Sequence, residues 1–178
     1  MTTQGQVSIR PAELQDAEAY RELRLEALRT HPEAFGSDYE QQAAYPLAHW
    51  QDRLQENADN PRGITQLAIA DQALIGMTGI YRNESPKEHH AGTIWGVYVR
   101  PGWRGQHVAE GLIETCIAWG KTQGVWLVKL AVVTSNIAAI RCYLRCGFSV
   151  YGIDPAVIYS GGVYHDEFLM ARRLDIHL

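Results

Sequence analysis

A short turn rich in glycine and arginine is the feature of the sequence best suited to binding a charged ligand. Gly102 and Gly105 lie there beside Arg100 and Arg104, and an apolar helical pattern begins at Val108. The first amides of a helix have no intrahelical partners and attract anions, and glycines let a ligand approach the backbone closely. The turn therefore predicts a pyrophosphate site, although a glycine-rich turn can also serve only as a tight connection.

A second candidate group lies on a later helical segment. Asn136 and Tyr143 are seven residues apart, which places them two turns apart on the same face of a helix. A tyrosine hydroxyl with a pKa near ~10 is a suitable general acid for a departing thiolate, whose thiol has a pKa of about 8.5. Alone, the asparagine predicts a helix cap and the tyrosine a half-buried core residue. Their shared face favours one common ligand, with Tyr143 as the catalytic residue.

Other ligand motifs are incomplete in the sequence. The glycine spacing does not fit the dinucleotide-binding pattern, and Gly120-Lys121-Thr122 lacks the earlier glycine of a P-loop. His89-His90 lies in a polar loop without spaced acidic or thiolate ligands, which makes it a weak metal site. We therefore expect no metal ion and no doubly wound dinucleotide fold.

The composition of the chain is that of one globular domain. Its 178 residues are 46% hydrophobic and 20% charged, which allows one continuous core, and we predict a single domain over residues 1–178. The net charge of −4 gives no basic field for a nucleic acid partner. No signal peptide or membrane-spanning apolar stretch is found, so we expect a cytoplasmic protein without a membrane partner. Its cysteines, Cys116, Cys142 and Cys146, are then expected to be reduced.

Apolar periodicity divides the chain into strands and helices around the two candidate sites. Strands are predicted at residues 7–10, 64–70, 73–81, 93–99, 126–133, 150–159 and 163–172, and helices at 17–29, 46–57, 108–123 and 136–146. Asp16 is the expected N-cap of the first helix, Asp71-Gln72 an expected hairpin turn, and Gly147 the expected end of the last helix. The order of elements predicts a mixed sheet layered with helices rather than a purely parallel fold.

The two candidate sites together resemble the GNAT family of N-acetyltransferases. Arg104-Gly105-Gln106-His107-Val108-Ala109 is similar to the coenzyme A pyrophosphate motif of that family, and residues 136–148 are similar to its following strand–helix motif. The similarity covers most of the chain from Ile64 onward. It implies acetyl-CoA as cosubstrate. It also implies an α+β fold of three layers, in which helices cover both faces of a mixed, mostly antiparallel sheet of about seven strands.

The resemblance further implies a role for each residue of the two motifs. Backbone groups of Val97 and Val99 would hold the pantetheine arm, Asn136 would contact the cofactor, and Tyr143 would protonate the coenzyme A thiolate. The pyrophosphate would be held by Arg104, Gly105, Gln106, His107, Val108 and Ala109. His107 departs from the family pattern, which has glycine at that place. Its ring could project outward or hydrogen-bond a phosphate.

The acceptor side of the reaction is less defined by the sequence. Residues 23–40 resemble the first helices of GNAT proteins, which shape the acceptor pocket in that family. The candidate pocket residues are Phe35, Tyr39, Glu40, Glu84 and Trp95, although the aromatic ones could equally serve core packing. The strand at 93–99 has no carboxylate to deprotonate an amine. The base is therefore open among water and Glu40, Glu84, His89, His90, His165 and Glu167.

These features predict an N-acetyltransferase that acts on a small primary amine by direct attack within a ternary complex. Two alternatives stay open. One is acetylation of a protein N-terminus or lysine, which requires an open peptide groove. The other is a non-catalytic, regulatory module that binds coenzyme A, which His107 and the missing strand carboxylate favour and Tyr143 opposes. The sequence is compatible with a monomer or a homodimer.

Overall fold

The computed structural model describes residues 5–59 and 62–175, with only the backbone of residues 56–59. The ends of the predicted 1–178 domain therefore lie outside the described residues. Within these ranges the strands are β1 Ser8–Pro11, β2 Gly63–Ala70, β3 Ala73–Arg82, β4 Ala91–Val99, β5 Leu127–Val133, β6 Ser149–Ser160 and β7 Val163–Arg173. The α-helices are α1 Ala17–Thr30, α2 Tyr39–Ala43, α3 Leu47–Asp59, α4 Val108–Thr122 and α5 Ile137–Arg145.

The strands form one sheet in the order β1-β2-β3-β4-β5-β7-β6. Every neighbouring pair is antiparallel except β4 and β5, which run parallel. Parallel neighbours need a crossover connection, and α4 provides it here. The predicted mixed, mostly antiparallel sheet is thus confirmed.

The hairpin turns contain residues with positive φ, as tight two-residue connections require. Asp71 and Gln72, between β2 and β3, have φ angles of 49° and 65°. Gly161 and Gly162, between β6 and β7, have φ angles of 60° and 81°. Both pairs of strands are antiparallel neighbours in the sheet, so the two predicted hairpins are confirmed.

Helices cover both faces of the sheet, as predicted. Successive residues of a strand point to opposite faces. On β2, Leu67 packs with Tyr20 of α1 and Trp50 of α3, whereas Ala68 packs with Leu112 of α4. α5 lies beside α4 on the second face, which completes three layers. None of the helices in the described ranges is long and apolar enough to span a membrane.

Two local predictions for the N-terminal half are corrected by the structure. Asp16 precedes α1 but does not cap it, because its carboxylate binds the Arg10 guanidinium at 2.7 and 2.8 Å and accepts from Glu13 N–H. The sequence patterns also do not predict α2, which has only five residues and is too short to show a helical period. Its first turn is held by Asp38 Oδ1, which accepts from Gln41 N–H at 2.8 Å.

β4 and β5 part from one another near the middle of the sheet. They pair only from Ala91 and Leu127 to Thr93 and Lys129, although both strands continue beyond that point. In the same half of β4, the pairing with β3 shifts by one residue around Gly96, whose φ of +66° marks a bulge. A bulge bends the strand that contains it. An opening therefore lies between the C-terminal halves of these two neighbouring strands.

The β6–β7 hairpin leaves an apolar surface at the edge of the sheet. Tyr151, Ile153, Tyr159 and Tyr164 are each more than half exposed. The rings of Tyr159 and Tyr164 lie with their centroids 4.8 Å apart. The expectation of a monomer or a homodimer stays a prediction.

Candidate active site

The free edge of β4 lines one side of the opening between β4 and β5. Arg100 N–H donates to the carbonyl of Ile75 on β3 at 2.8 Å, and peptide groups alternate in direction along an antiparallel strand. The backbone N–H and C=O groups of Val97 and Val99 therefore point away from β3, toward the opening. The carbonyl of Val99 already accepts from Arg104 Nε at 2.9 Å. The other backbone groups of the two valines point in the direction needed to form hydrogen bonds with an extended ligand that contains amides.

The predicted pyrophosphate turn leads into an uncapped helix N-terminus. α4 begins at Val108, and the residue before it, His107, makes no side-chain capping bond. Gly111 N–H donates to the carbonyl of His107 at 3.0 Å, so the amides of residues 108–110 lack helical partners. Gly105 has a φ of +76°, and the place of a Cβ there has no atom within 4 Å. The turn thus offers amides and free space to an anion.

The side chains of Arg104 and Gln106 are directed at the protein rather than at that space. Arg104 donates from Nε to Val99 and lies with Nη2 3.0 Å from His31 Nε2. Gln106 donates from Nε2 to the carbonyl of Gly102 at 3.3 Å. Both side chains therefore make contacts within the protein that hold the shape of the turn.

His107 occupies the left-handed region of backbone conformation, with a φ of 60°. Its ring projects outward, with the side chain 76% exposed, and Nδ1 lies 3.2 Å from Glu110 Oε1. The same carboxylate oxygen accepts from Arg145 of α5 at 2.6 and 3.0 Å. Partial burial works to raise the pKa of Glu110, but hydrogen bonds, above all from Arg145, lower it below its usual value. The histidine thus contacts this ion pair, and its backbone is strained where glycine would not be.

Asn136 and Tyr143 belong to α5, on the other side of the opening. Asn136 caps the helix, since its Oδ1 accepts from Ala139 N–H at 3.2 Å, and its amide NH₂ is left available. Tyr143 is 7% exposed and packs edge-on against Phe148, in the same cluster as Val97 of β4. Burial, with smaller contributions from two neighbouring thiols, raises the pKa of the Tyr143 hydroxyl. This hydroxyl therefore keeps its proton at neutral pH.

The cysteines in the described part of the chain form no disulfide. Cys116, Cys142 and Cys146 are free and buried, and burial raises the pKa of the Cys116 thiol. No group of three or more His, Cys, Asp or Glu side chains among the described residues is placed to hold a metal ion.

On the opposite face of the sheet, aromatic and arginine side chains lie beside the β4 bulge. The Trp95 ring lies directly against Gly79, where a Cβ would collide with it. The Arg53 guanidinium lies 4.9 Å from the centroid of the Trp95 ring, and that of Arg24 lies 4.9 Å from the centroid of Phe35. The structure thus brings two of the predicted acceptor residues, Phe35 and Trp95, to one place.

The other predicted acceptor residues lie on α2 and in the β3–β4 loop. Tyr39 is half-buried and Glu40 exposed on α2. Glu84 lies in the β3–β4 loop, with 73% of its side chain exposed, and pairs with Arg62 at 2.8 Å. That loop precedes the end of β4 that is paired with β5, so the predicted acceptor role of Glu84 is not supported by its position.

Two of the candidate bases, His89 and His90, are remote from the opening. His89 Nε2 lies 2.7 Å from the carbonyl oxygen of Glu84, in the same loop. His90 stacks on Trp126 with the ring centroids 4.8 Å apart, at the paired end of β4 and β5. His165 pairs with Ile158 in the distal half of the β6–β7 hairpin. Neither His89 nor His90 is placed to take a proton from an amine at the bulge, whereas His165 lies two residues before Glu167 on β7 and on the same face.

Glu167 is the candidate base that lies beside the parted end of β5. On β7 it pairs with Val133, the last residue of β5, and with Asp154 of β6. Its neighbour Phe168 packs into the core beneath α4 and α5, so Glu167 points to the opposite face, where Trp95 and the arginines lie. Burial, and then the negative charge of Asp154, raise the pKa of Glu167. A raised pKa makes this carboxylate a stronger base.

Two residues of this face, Arg24 and Asp154, are missed by the sequence patterns. Arg24 is 5% exposed and lies four residues after Tyr20 and three before Ala27, both fully buried. An arginine within the apolar stripe of a helix is the signal that could have found it. Asp154 comes opposite Glu167 only through the register of β6 and β7, which the sequence does not specify.

Comparisons with known proteins point to one family. The sequence model of the acetyltransferase (GNAT) family matches residues 18–148. The L-amino acid N-acetyltransferase AaaT of Escherichia coli is 32% identical over 174 residues, which cover 94% of this chain and 98% of that protein. The L-methionine sulfoximine/L-methionine sulfone acetyltransferase of Pseudomonas paraeruginosa is 31% identical over 96 residues, 53% of this chain and 56% of that protein. The solved structure of YncA from Salmonella typhimurium with its cofactor acetyl-CoA has a TM-score of 0.84 at 20% identity and coverages of 97% and 96%, a likeness of fold.

Replacing His107 with glycine is expected to stabilise the protein. Positive φ costs a residue with a side chain roughly 1–2 kcal/mol, and glycine adopts it freely, while the exposed contact with Glu110 contributes little. We expect His107→Gly to raise the free energy of unfolding by about 1 kcal/mol in urea denaturation. His107→Ala removes the same ring but keeps the strain, so it should give no such gain. Equal stabilisation by both variants would contradict the backbone explanation.

Proposed function

The chain belongs to the GNAT family of acetyltransferases, and from this premise we propose that it acetylates the primary amine of a small molecule. The observation that carries the proposal is the opening between β4 and β5. An anion-binding turn lies on one side of it, and a bulge with arginines and aromatic rings lies on the other. Support for a small acceptor comes from the two relatives, which are named for L-amino acids and for L-methionine sulfoximine and sulfone.

The residues present fit acetyl-CoA as the cosubstrate. The unpartnered amides at residues 108–110 suit its pyrophosphate, and the peptide groups of Val97 and Val99 suit the amides of its pantetheine arm. The amide NH₂ of Asn136 is a further donor on the facing helix. When bound, acetyl-CoA supplies a thioester that an amine can attack directly. The fold likeness to a structure that contains acetyl-CoA supports this assignment.

Glu167 is the base that we propose for the acceptor amine. An alkyl ammonium has a pKa near ~10.4, so it must lose a proton before it can attack. Glu167 faces the side of the bulge, and its raised pKa strengthens it as a proton acceptor. The proton passes to Glu167 directly or through one water. The negative charge of Asp154 beside it also favours an incoming ammonium group.

Tyr143 is the proposed acid for the departing thiolate. Its raised pKa keeps the hydroxyl protonated until the thiolate forms. Burial disfavours the charged thiolate as well, and so raises the pKa of the coenzyme A thiol too. Because both pKa values rise, the proton transfer from the tyrosine to the thiolate does not become less favourable. The hydroxyl therefore stabilises the leaving group first by a hydrogen bond and then by giving up its proton.

We expect the purified protein to release free thiol from acetyl-CoA with free amino acids and other small amines, and little with peptides. Tyr143→Phe keeps the ring that packs on Phe148 but removes the hydroxyl, and should lower kcat by about 10²–10⁴-fold with acetyl-CoA binding retained in calorimetric titration. Tyr164→Phe is a matched control, because Tyr164 is 68% exposed, and should behave like the parent protein. Turnover of peptides alone would move the proposal to protein acceptors. Binding without any turnover would favour the regulatory module.

Glu167→Gln is expected to lower kcat by about 10²-fold or more, since a glutamine cannot accept the proton. In the parent protein, activity should fall as the pH drops through the raised pKa of Glu167, where the carboxylate becomes protonated. The glutamine variant should lack this acidic limb in a kcat profile against pH. Glu84→Gln is the control, because the exposed Glu84 pairs with Arg62 away from the opening. An unchanged acidic limb in Glu167→Gln would exclude Glu167 as the base.

A further inference from the structure

Among the described residues, the Arg24 guanidinium is buried on the acceptor side without an anionic partner. Arg24 is 5% exposed, lies over the Phe35 ring, and donates from Nη2 to Ser37 Oγ at 3.2 Å. Its Nε and Nη1 meet no acceptor among the described residues. Burial lowers the pKa of Arg24; the neighbouring Tyr20 hydroxyl acts to raise it, and the charge of Arg53 acts to lower it further. The charged neighbour is thus another cation rather than a carboxylate.

Two further polar groups in the core around Arg24 can donate hydrogen bonds. Tyr20, one turn earlier on α1, has a buried hydroxyl without a partner in the described part of the chain. Trp50 meets the Tyr20 ring edge-on at 5.9 Å between centroids, and its buried Nε1–H also lacks a partner there. Buried polar groups in folded proteins are almost always hydrogen-bonded. Neighbouring side chains with donors that lack a partner among the described residues are suited to an anionic ligand.

The contacts with Phe35 and Ser37 satisfy only part of the Arg24 side chain. A guanidinium has five N–H donors. Among the described residues, only Nη2 of Arg24 has an acceptor, which is the Ser37 hydroxyl. A buried charge without a counter-charge is strongly unfavourable. A carboxylate matches the planar guanidinium with two parallel hydrogen bonds and neutralises it. Arginine in this state is therefore better explained by a ligand carboxylate than by packing.

The position of Arg24 relates it to the site of acetyl transfer. Its Nη1 lies 3.4 Å from the place that a Cβ of Gly96 would occupy. Gly96 forms the bulge of β4, and the next residue, Val97, directs its peptide groups toward the opening. A carboxylate bound at Arg24 therefore places an amine on the adjoining carbon at that opening. Glu167 points to the same face.

We propose that Arg24 binds the carboxylate of the acceptor, so that the acceptor is an α-amino acid. This inference rests on the acetyl transfer proposed above and adds the class of acceptor. The carboxylate replaces the Ser37 hydroxyl on Nη2 and also accepts from Nη1, with the Tyr20 hydroxyl as a further donor. Residues 35–37, which belong to no helix or strand, make room for it.

The test compares each acceptor with a twin that lacks the carboxylate. The common L-amino acids and their α-amides are assayed as acceptors, and the best pair is measured with the parent protein and with Arg24→Met, which keeps a long, flexible side chain without the charge. We expect the parent protein to prefer the acid over the amide by about 100-fold or more in kcat/KM. Arg24→Met should abolish this preference by lowering kcat/KM for the acid alone. Ser37→Ala, which removes only the hydroxyl, should retain it.

Binding measurements separate a failure of this inference from a failure of the proposed function. Titration of the acid and the amide in the presence of coenzyme A needs no turnover. Tighter binding of the acid by the parent protein but not by Arg24→Met supports the inference even if neither compound is acetylated. No binding of either compound, equal binding of both, or an unchanged preference in Arg24→Met overturns it. If the amide is acetylated as fast as the acid, the role of Arg24 in binding a carboxylate is overturned, while the proposed acetyl transfer is supported.

Thermal unfolding of Arg24→Met shows whether a lower activity of this variant results from loss of the fold. Removing a buried charge that lacks a partner relieves a penalty, so this variant should melt at the same temperature as the parent protein or higher. A large drop in its melting temperature would show that Arg24 serves packing, and would overturn the inference.

Discussion

The parting of β4 and β5 is the constraint on which the rest of the structure depends. These strands form the one parallel pair in the described sheet, and they share only three residue pairs before they separate. Backbone N–H and C=O groups that leave a sheet need other partners. The bulge at Gly96 bends β4 at this point, so the free groups face an opening rather than another strand. A ligand with amide groups can occupy that place as a strand would.

The opening has a different chemical environment on each face of the sheet. On one face, α4 begins without a side-chain cap, and its free amides provide the positive end of a helix dipole. Glu110 and Arg145 connect α4 to α5 across this end, which keeps Tyr143 and the anion-binding turn in a fixed relation. On the other face, the charge is carried by arginine side chains. The proposed cofactor site and the proposed acceptor site therefore lie on opposite sides of the opening.

Much of the fold could be predicted from the sequence because its long elements have strong apolar periods and clear turns. Asp71-Gln72 and Ser160-Gly161-Gly162 mark hairpins by residue type alone. The short α2 gives no period, and the partner of Asp16 is an arginine on a different element. Local motifs therefore predict local structure, whereas contacts between distant segments require the fold.

The same distinction holds within the site. The proposed cofactor side consists of two continuous motifs, the turn before α4 and the start and body of α5, and each motif is visible in the sequence by itself. The proposed acceptor side combines Arg24, Trp95 and Glu167, which are far apart in the sequence and share a face of the sheet only in the fold. Glu84 has a suitable type, but its loop lies at the wrong end of β4.

The central claim is that the acetyl donor and the amine meet in one opening, without a covalent acetyl-enzyme. Initial rates measured while both acetyl-CoA and the acceptor are varied test it most directly. Plots of reciprocal rate against reciprocal concentration should give lines that intersect, as a ternary complex requires. Parallel lines, which mark a covalent acetyl-enzyme, would contradict it.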